Sequence, residues 1–162
     1  MKVTIEELIE LGACEEGREW FLAQDKSELV DVLIALNAEE HWDWANWTIA
    51  CFLTPQNAVR YAIFAAEQVS PIFEKERSDD NRPRAAIEAA KACLAAPTSE
   101  NGATATTAAR AAFAAANARV ATAATATAAY TAASNARSAS EGAKQAIFEF
   151  GLSLAREEEK RE

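Results

Sequence analysis

Basic side chains are clustered around the predicted start of a helix, and their natural chemistry is anion binding. Arg82 and Arg84 flank Pro83, a residue favoured in the first helical turn, and Lys91 follows two turns later. The first turn of a helix presents free N–H groups and the positive end of the helix dipole, which suit a carboxylate or a phosphate. The alternative is a purely structural role, in which neighbouring aspartates pair with the arginines and fix the loop.

A second group of arginines lies in an alanine-rich segment. Half of residues 103–146 are alanine, the strongest helix former, so the segment is predicted to form one long helix or two collinear ones. Arg119 and Arg137 are 18 residues apart, which is five helical turns, so they share one line on a continuous helix. They are expected to face the acidic third of the chain, a ligand, or only water.

The two groups together define a predicted ligand-binding set. An anionic nucleotide signal is one ligand that such a set could hold, with an aromatic side chain stacked on its base. The set also takes in two residues of the helix before the Arg82 loop, and its members are Arg60, Tyr61, Arg82, Arg84, Lys91, Arg119 and Arg137.

Catalysis and cofactor binding find little support in the sequence. There is no GxSxG motif, no P-loop and no GxGxxG motif, and the single histidine, His41, lacks partner ligands for a metal. We therefore predict no enzyme activity, no cofactor and no metal. Cys14, Cys51 and Cys93 are widely spaced and form no CxxC pair, so they are interpreted as small buried hydrophobes of a reduced, cytoplasmic protein.

The acidic charge is confined to the first third of the chain. Residues 1–50 hold 12 acids and 3 bases, whereas residues 51–162 hold 13 of each, so the net charge of −9 belongs to residues 1–50. Direct nucleic-acid binding is not expected, because it needs clustered basic residues. The remaining interpretations are a plain acidic surface, a docking face for a basic protein, or a nucleic-acid mimic.

Helical spacing of apolar residues predicts an all-α, multi-helix bundle of seven to nine helices that includes the long alanine-rich helix. We expect one domain over 1–162, with 97–102 as the only candidate for an internal boundary, and no membrane-spanning segment. Pro71 is expected to kink the fifth helix or to begin a new one. The predicted helices are 4–11, 15–24, 25–37, 38–53, 55–78, 82–96, 103–140 and 144–158.

Several strings resemble the immunity-5-like family of immunity proteins from bacterial polymorphic-toxin systems, which also occur in phage genomes. The most specific is D-x-R-P-R-x-A-I-E-A at 80–89, supported by the stretches at 58–67, 71–74 and 11–17. The resemblance covers roughly 5–155. It implies a non-enzymatic protein that neutralises a toxin or a defence component by binding. It leaves open the partner, and whether copies of the chain form a homo-oligomer.

Overall fold

The chain forms seven helices within the residues that the computed structural model describes, which are 1–76, 78, 81–96 and 141–161. No strand lies in these ranges, and the single β-bridge joins Lys2 to Glu28. The predicted all-α class is therefore confirmed. The predicted alanine-rich helix and the boundary at 97–102 lie outside the described residues. The helices are α1 (Ile5–Glu10), α2 (Glu15–Leu22), α3 (Leu29–Ala38), α4 (Trp42–Phe52), α5 (Pro55–Glu76), α6 (Arg82–Ala95) and α7 (Glu141–Glu159).

Local capping sets the ends of the first helices. Thr4 and Glu7 form a complete capping box at the start of α1, and Gly12 follows its end with a φ of 80°. Cys14 begins α2, where its Sγ accepts the Gly17 N–H at 3.4 Å. The cysteine interpretation was wrong in detail, because Cys14 is exposed and Cys51 and Cys93 are only half-buried.

The turn between α3 and α4 departs from the predicted boundaries. We expected α3 to end at Asn37 and α4 to begin at Ala38, but α3 includes Ala38 and α4 begins at Trp42. The His41 N–H donates to the Leu36 carbonyl, and the Glu40 N–H donates to the Asn37 carbonyl. These bonds form a Schellman motif, whose left-handed position is occupied by Glu40 at φ 61° instead of the usual glycine.

Helix α5 runs from Pro55 to Glu76 without a break at Pro71. Pro71 has no N–H to donate to the carbonyl of Glu67, so one intrahelical bond is missing there. The packing of α5 against both α6 and α7 offsets this cost. Of the two expected outcomes, a new helix at Pro71 is therefore not observed.

The core lies where α3, α4, α5 and α7 meet. Leu33, Ile49, Tyr61 and Leu154 are fully buried there, one from each of the four helices. Gly151 lets α7 approach closely, because an added Cβ would stand 2.7 Å from Cδ1 of Ile49 and 2.8 Å from the Tyr61 ring.

A buried carboxylate from α7 closes the start of α5. Glu158 accepts the Thr54 N–H at 3.0 and 3.1 Å, the Thr54 hydroxyl at 2.6 Å and the Asn57 amide at 2.6 Å. Glu158 is only 4 % exposed, yet its charge is met by these donors and by the positive end of the α5 dipole. One side chain thus fixes the C-terminal helix to the α4–α5 junction.

Removal of the Glu158 carboxylate should destabilise the fold strongly. We expect Glu158→Ala to lower the free energy of unfolding by about 2–4 kcal/mol, because three donors lose a charged acceptor. The neighbouring Glu157→Ala is the control, since Glu157 is exposed and has one surface contact with Arg60 at 3.3 Å; it should cost less than about 1 kcal/mol. Urea unfolding of both variants checks this, and equal costs would contradict the capping role.

Two glycines of α7 should respond oppositely to alanine. Gly151→Ala should cost about 1–3 kcal/mol, because the new methyl group has to displace a fully buried isoleucine and tyrosine. Gly142→Ala meets nothing within 4 Å and should be neutral or stabilising by up to about 1 kcal/mol, because alanine is the better helix former. Thermal unfolding of the pair measures both effects. A tolerated Gly151→Ala would show that α7 does not depend on close approach.

Candidate functional site

The basic side chains of α6 are paired with carboxylates of α5. Arg84 donates from Nε and Nη2 to the two oxygens of Glu74 at 3.0 and 2.7 Å. Lys91 lies 2.8 Å from Glu67 and 3.0 Å from Glu88. The bonds from Arg84 lower the pKa of the Glu74 carboxyl below its usual value. The two pairs, each between one residue of α5 and one of α6, follow the antiparallel register of these helices.

Arg60 and Tyr61 face other neighbours. Arg60 donates to Asn57 at 2.9 Å and to Glu157 of α7 at 3.3 Å. Tyr61 is fully buried, its hydroxyl donates to Asn46, and burial raises its pKa above the usual value. Its ring is therefore part of the core and is not presented to a ligand in this conformation.

The predicted ligand-binding set is thus only partly visible in the structure. Arg84 and Lys91 share the α5–α6 contact, whereas Arg60 pairs with α7. The side chain of Arg82, and all of Arg119 and Arg137, lie outside the described residues. Each cation of the set whose side chain is described therefore has a carboxylate within 3.3 Å.

The first fifty residues present a predominantly negative surface. Ten of the twelve acids in this third are exposed, and Glu28 and Asp43 are half-buried. We call the ten exposed carboxylates the acidic surface. They are Glu6, Glu7, Glu10, Glu15, Glu16, Glu19, Asp25, Asp31, Glu39 and Glu40.

Large apolar side chains are exposed in the same third. The large hydrophobic residues that are exposed in the described part of the chain are Ile9, Leu11, Leu22 and Ile34. Their exposed fractions range from 42 to 66 %. Sequence patterning missed them as surface residues because each belongs to a helix or helix end whose other large apolar residues are buried or half-buried. Apolar anchors among charged residues are typical of protein-binding surfaces.

Aromatic rings and a carboxylate form a compact group at the edge of the acidic surface. The imidazole of His41 stacks on Trp44 with centroids 4.3 Å apart, and the Trp20 ring lies at 75° to the imidazole with centroids 5.9 Å apart. The Trp20 indole N–H donates to Oε2 of Glu39 at 2.7 Å. We call Trp20, Glu39, His41 and Trp44 the Trp–His cluster. The sequence placed His41 near a helix start, as observed, but gave no signal for the cluster, which joins α2 to the α3–α4 turn.

The described part of the chain contains neither a candidate metal site nor a candidate membrane-spanning helix. No group of three His, Cys, Asp or Glu side chains there is arranged to hold a metal ion. None of the described helices has the length and hydropathy needed to span a bilayer. The thiol of Cys51 has a pKa raised to about 11 by burial, which disfavours a reactive thiolate.

Comparison with known proteins identifies the family. The model of the family described as Imm-5 like putative immunity protein matches residues 52–148, more than half of the chain. No curated protein and no solved structure matches the chain significantly. The chain belongs to the Imm-5 like family. The match is narrower than the 5–155 expected from the sequence strings, and residues 1–50 lie outside it.

Proposed function

We propose that this Imm-5 like protein neutralises a bacterial toxin, or a defence component, by binding it without catalysis through the acidic surface. Family membership supports a general role in immunity. The single observation that carries the binding surface is the coincidence of the net charge of −9 and the exposed apolar side chains in residues 1–50. Charge attracts a basic partner and speeds its association, and the apolar side chains supply contact area.

The rest of the described chain is less suited to attract a basic partner over a distance. Residues 51–162 have as many bases as acids, and the exposed cations Arg84 and Lys91 are matched by Glu74 and Glu67. A balanced surface produces little field beyond a Debye length of about 8 Å at physiological salt. The charge of residues 1–50 therefore determines the direction from which a basic partner approaches.

Charge reversal in the first third should abolish neutralisation. Glu10, Glu16 and Glu19 are exposed, and we expect their joint change to lysine to remove protection of cells that co-express the toxin from the same locus. The physical reason is that a net change of six charges replaces attraction with repulsion. Cell growth under toxin induction is the readout, with pull-down of the toxin as the second measurement.

The matched control reverses three exposed carboxylates elsewhere, Glu88, Glu141 and Glu149. It makes the same change in net charge and should leave protection intact. Loss of protection in both variants would indicate a nonspecific effect of net charge. Full protection by the Glu10/Glu16/Glu19 variant would overturn the proposed surface.

An alternative proposal is a sponge that sequesters an anionic nucleotide immune signal. It now depends mainly on Arg82, Arg119 and Arg137, because Arg60, Arg84 and Lys91 have carboxylate neighbours and Tyr61 is buried. Binding would have to release those ion pairs, each worth less than about 1 kcal/mol at an exposed site. We favour the protein-binding proposal for this reason.

Calorimetry separates the two proposals. We expect no heat of binding when the protein is titrated with cyclic dinucleotides or ADP-ribose-type nucleotides. A saturable heat that is lost in Arg82→Ala and retained in Arg18→Ala, an arginine outside the predicted set, would favour the sponge. A third proposal, mimicry of nucleic acid by the carboxylates of residues 1–50, predicts that duplex DNA competes with the partner for binding.

A further inference from the structure

We propose that the Trp–His cluster binds one arginine side chain of the protein that docks on the acidic surface. This inference rests on the proposed function and names the partner chemistry at one point of the surface. The cluster joins three elements: Trp20 comes from α2, Glu39 and His41 from the α3–α4 turn, and Trp44 from α4. It therefore provides rings and negative charge in one place.

The aromatic part of the cluster is partly open. The His41 side chain is 35 % exposed, and its ring lies nearly parallel to Trp44, with 22° between the planes. Trp44 is supported behind by α2, because a Cβ on Gly17 would be 3.9 Å from its ring. A planar guanidinium can extend such a stack, since arginine stacks on flat rings as well as pairing with carboxylates.

The carboxylate part is oriented before any partner arrives. The indole N–H of Trp20 holds Oε2 of Glu39 at 2.7 Å, and Nε2 of His41 lies 3.7 Å from the same oxygen. Glu39 nevertheless remains 48 % exposed. A side chain that is already fixed loses less conformational entropy on binding, so the cost of forming a salt bridge is reduced.

Glu40 adds a second exposed carboxylate in the same turn as Glu39 and His41. It is exposed, and within the described ranges its carboxylate forms no ion pair. Its left-handed backbone, at φ 61°, lies between Glu39 and His41 in the turn that joins α3 to α4. Two carboxylates and a stacked ring match the charge, the flat shape and the several donors of a guanidinium better than they match the compact ammonium of lysine.

The direct test is titration of the full chain with a blocked Gly-Arg-Gly peptide, followed by the indole N–H resonances in ¹H–¹⁵N NMR spectra. We expect the Trp20 resonance to shift saturably at millimolar peptide. The same peptide with citrulline, a neutral isostere of arginine, should produce no saturable shift, and Gly-Lys-Gly should bind at least threefold more weakly. Equal shifts with arginine and citrulline would overturn the proposal.

Variants locate the binding site. Glu40→Gln and Glu39→Gln should each weaken the arginine peptide by about fivefold, and Glu39→Gln keeps an oxygen that can accept the Trp20 N–H. Glu149→Gln, an exposed change outside both the cluster and the acidic surface, should leave the titration unchanged. Thermal unfolding confirms that each variant is folded. A titration that is insensitive to both Glu39→Gln and Glu40→Gln would also overturn the proposal.

The outcome is separable from that of the proposed function. If the Glu10/Glu16/Glu19 reversal abolishes toxin neutralisation while Glu40→Gln and His41→Ala leave it intact, the arginine site is wrong and the immunity surface stands. If the reversal leaves neutralisation intact, the proposed surface is wrong. The peptide titration then still decides whether the cluster recognises a guanidinium.

Discussion

The buried carboxylate of Glu158 is the interaction on which the arrangement of the helices depends. It accepts bonds from Thr54 and Asn57, residues about a hundred positions earlier in the chain, and so ties the end of α7 to the start of α5. A buried charge is stable only when donors surround it, and here they come from a helix start that needs an acceptor. The carboxylate gains the donors it needs and the helix start gains the acceptor it needs, so the contact requires one specific geometry.

The position of α7 in turn determines the packing of α4. With its last turn fixed at Glu158, α7 brings Gly151 against Ile49 and Tyr61, and brings Phe148 to the edge of Trp42, with ring centroids 6.1 Å apart. These contacts hold one side of α4. The opposite side carries Trp44 toward α2, so the Trp–His cluster lies at the start of α4, whereas the Glu158 contact lies just beyond its end.

Sequence reasoning succeeded where the determinants are local. The starts of α2, α5 and α6, predicted at residues 15, 55 and 82, depend on residues within one or two turns, and all three appear as predicted. It failed at the α3–α4 turn, because Glu40 occupies a left-handed position where the usual signal is glycine. The Glu158 contact had no sequence signal, since its partners are defined only by the tertiary fold.

In the candidate site, too, some features follow from the sequence alone and others depend on tertiary packing. Exposed charge in residues 1–50 follows from composition, so an acidic surface could be predicted, whereas the exposed apolar residues and the Trp–His cluster depend on how α1, α2 and the α3–α4 turn pack. The anion site predicted around Arg84 rested on a helix start seen in isolation. In the fold, the antiparallel neighbour α5 supplies Glu74 and Glu67 as partners, which no spacing rule within α6 could reveal.

The family match and the acidic surface lie in different parts of the chain. Residues 52–148 carry the family pattern and contain α5 and α6, which are joined by the ion pairs Arg84–Glu74 and Lys91–Glu67. Residues 1–50 carry the unbalanced charge and the exposed apolar side chains. In the proposed function the exposed side chains of residues 1–50 recognise the partner, and exposed side chains can change at little cost in stability. The core itself is formed by α3, α4, α5 and α7, so such changes would alter the surface while the fold stays the same.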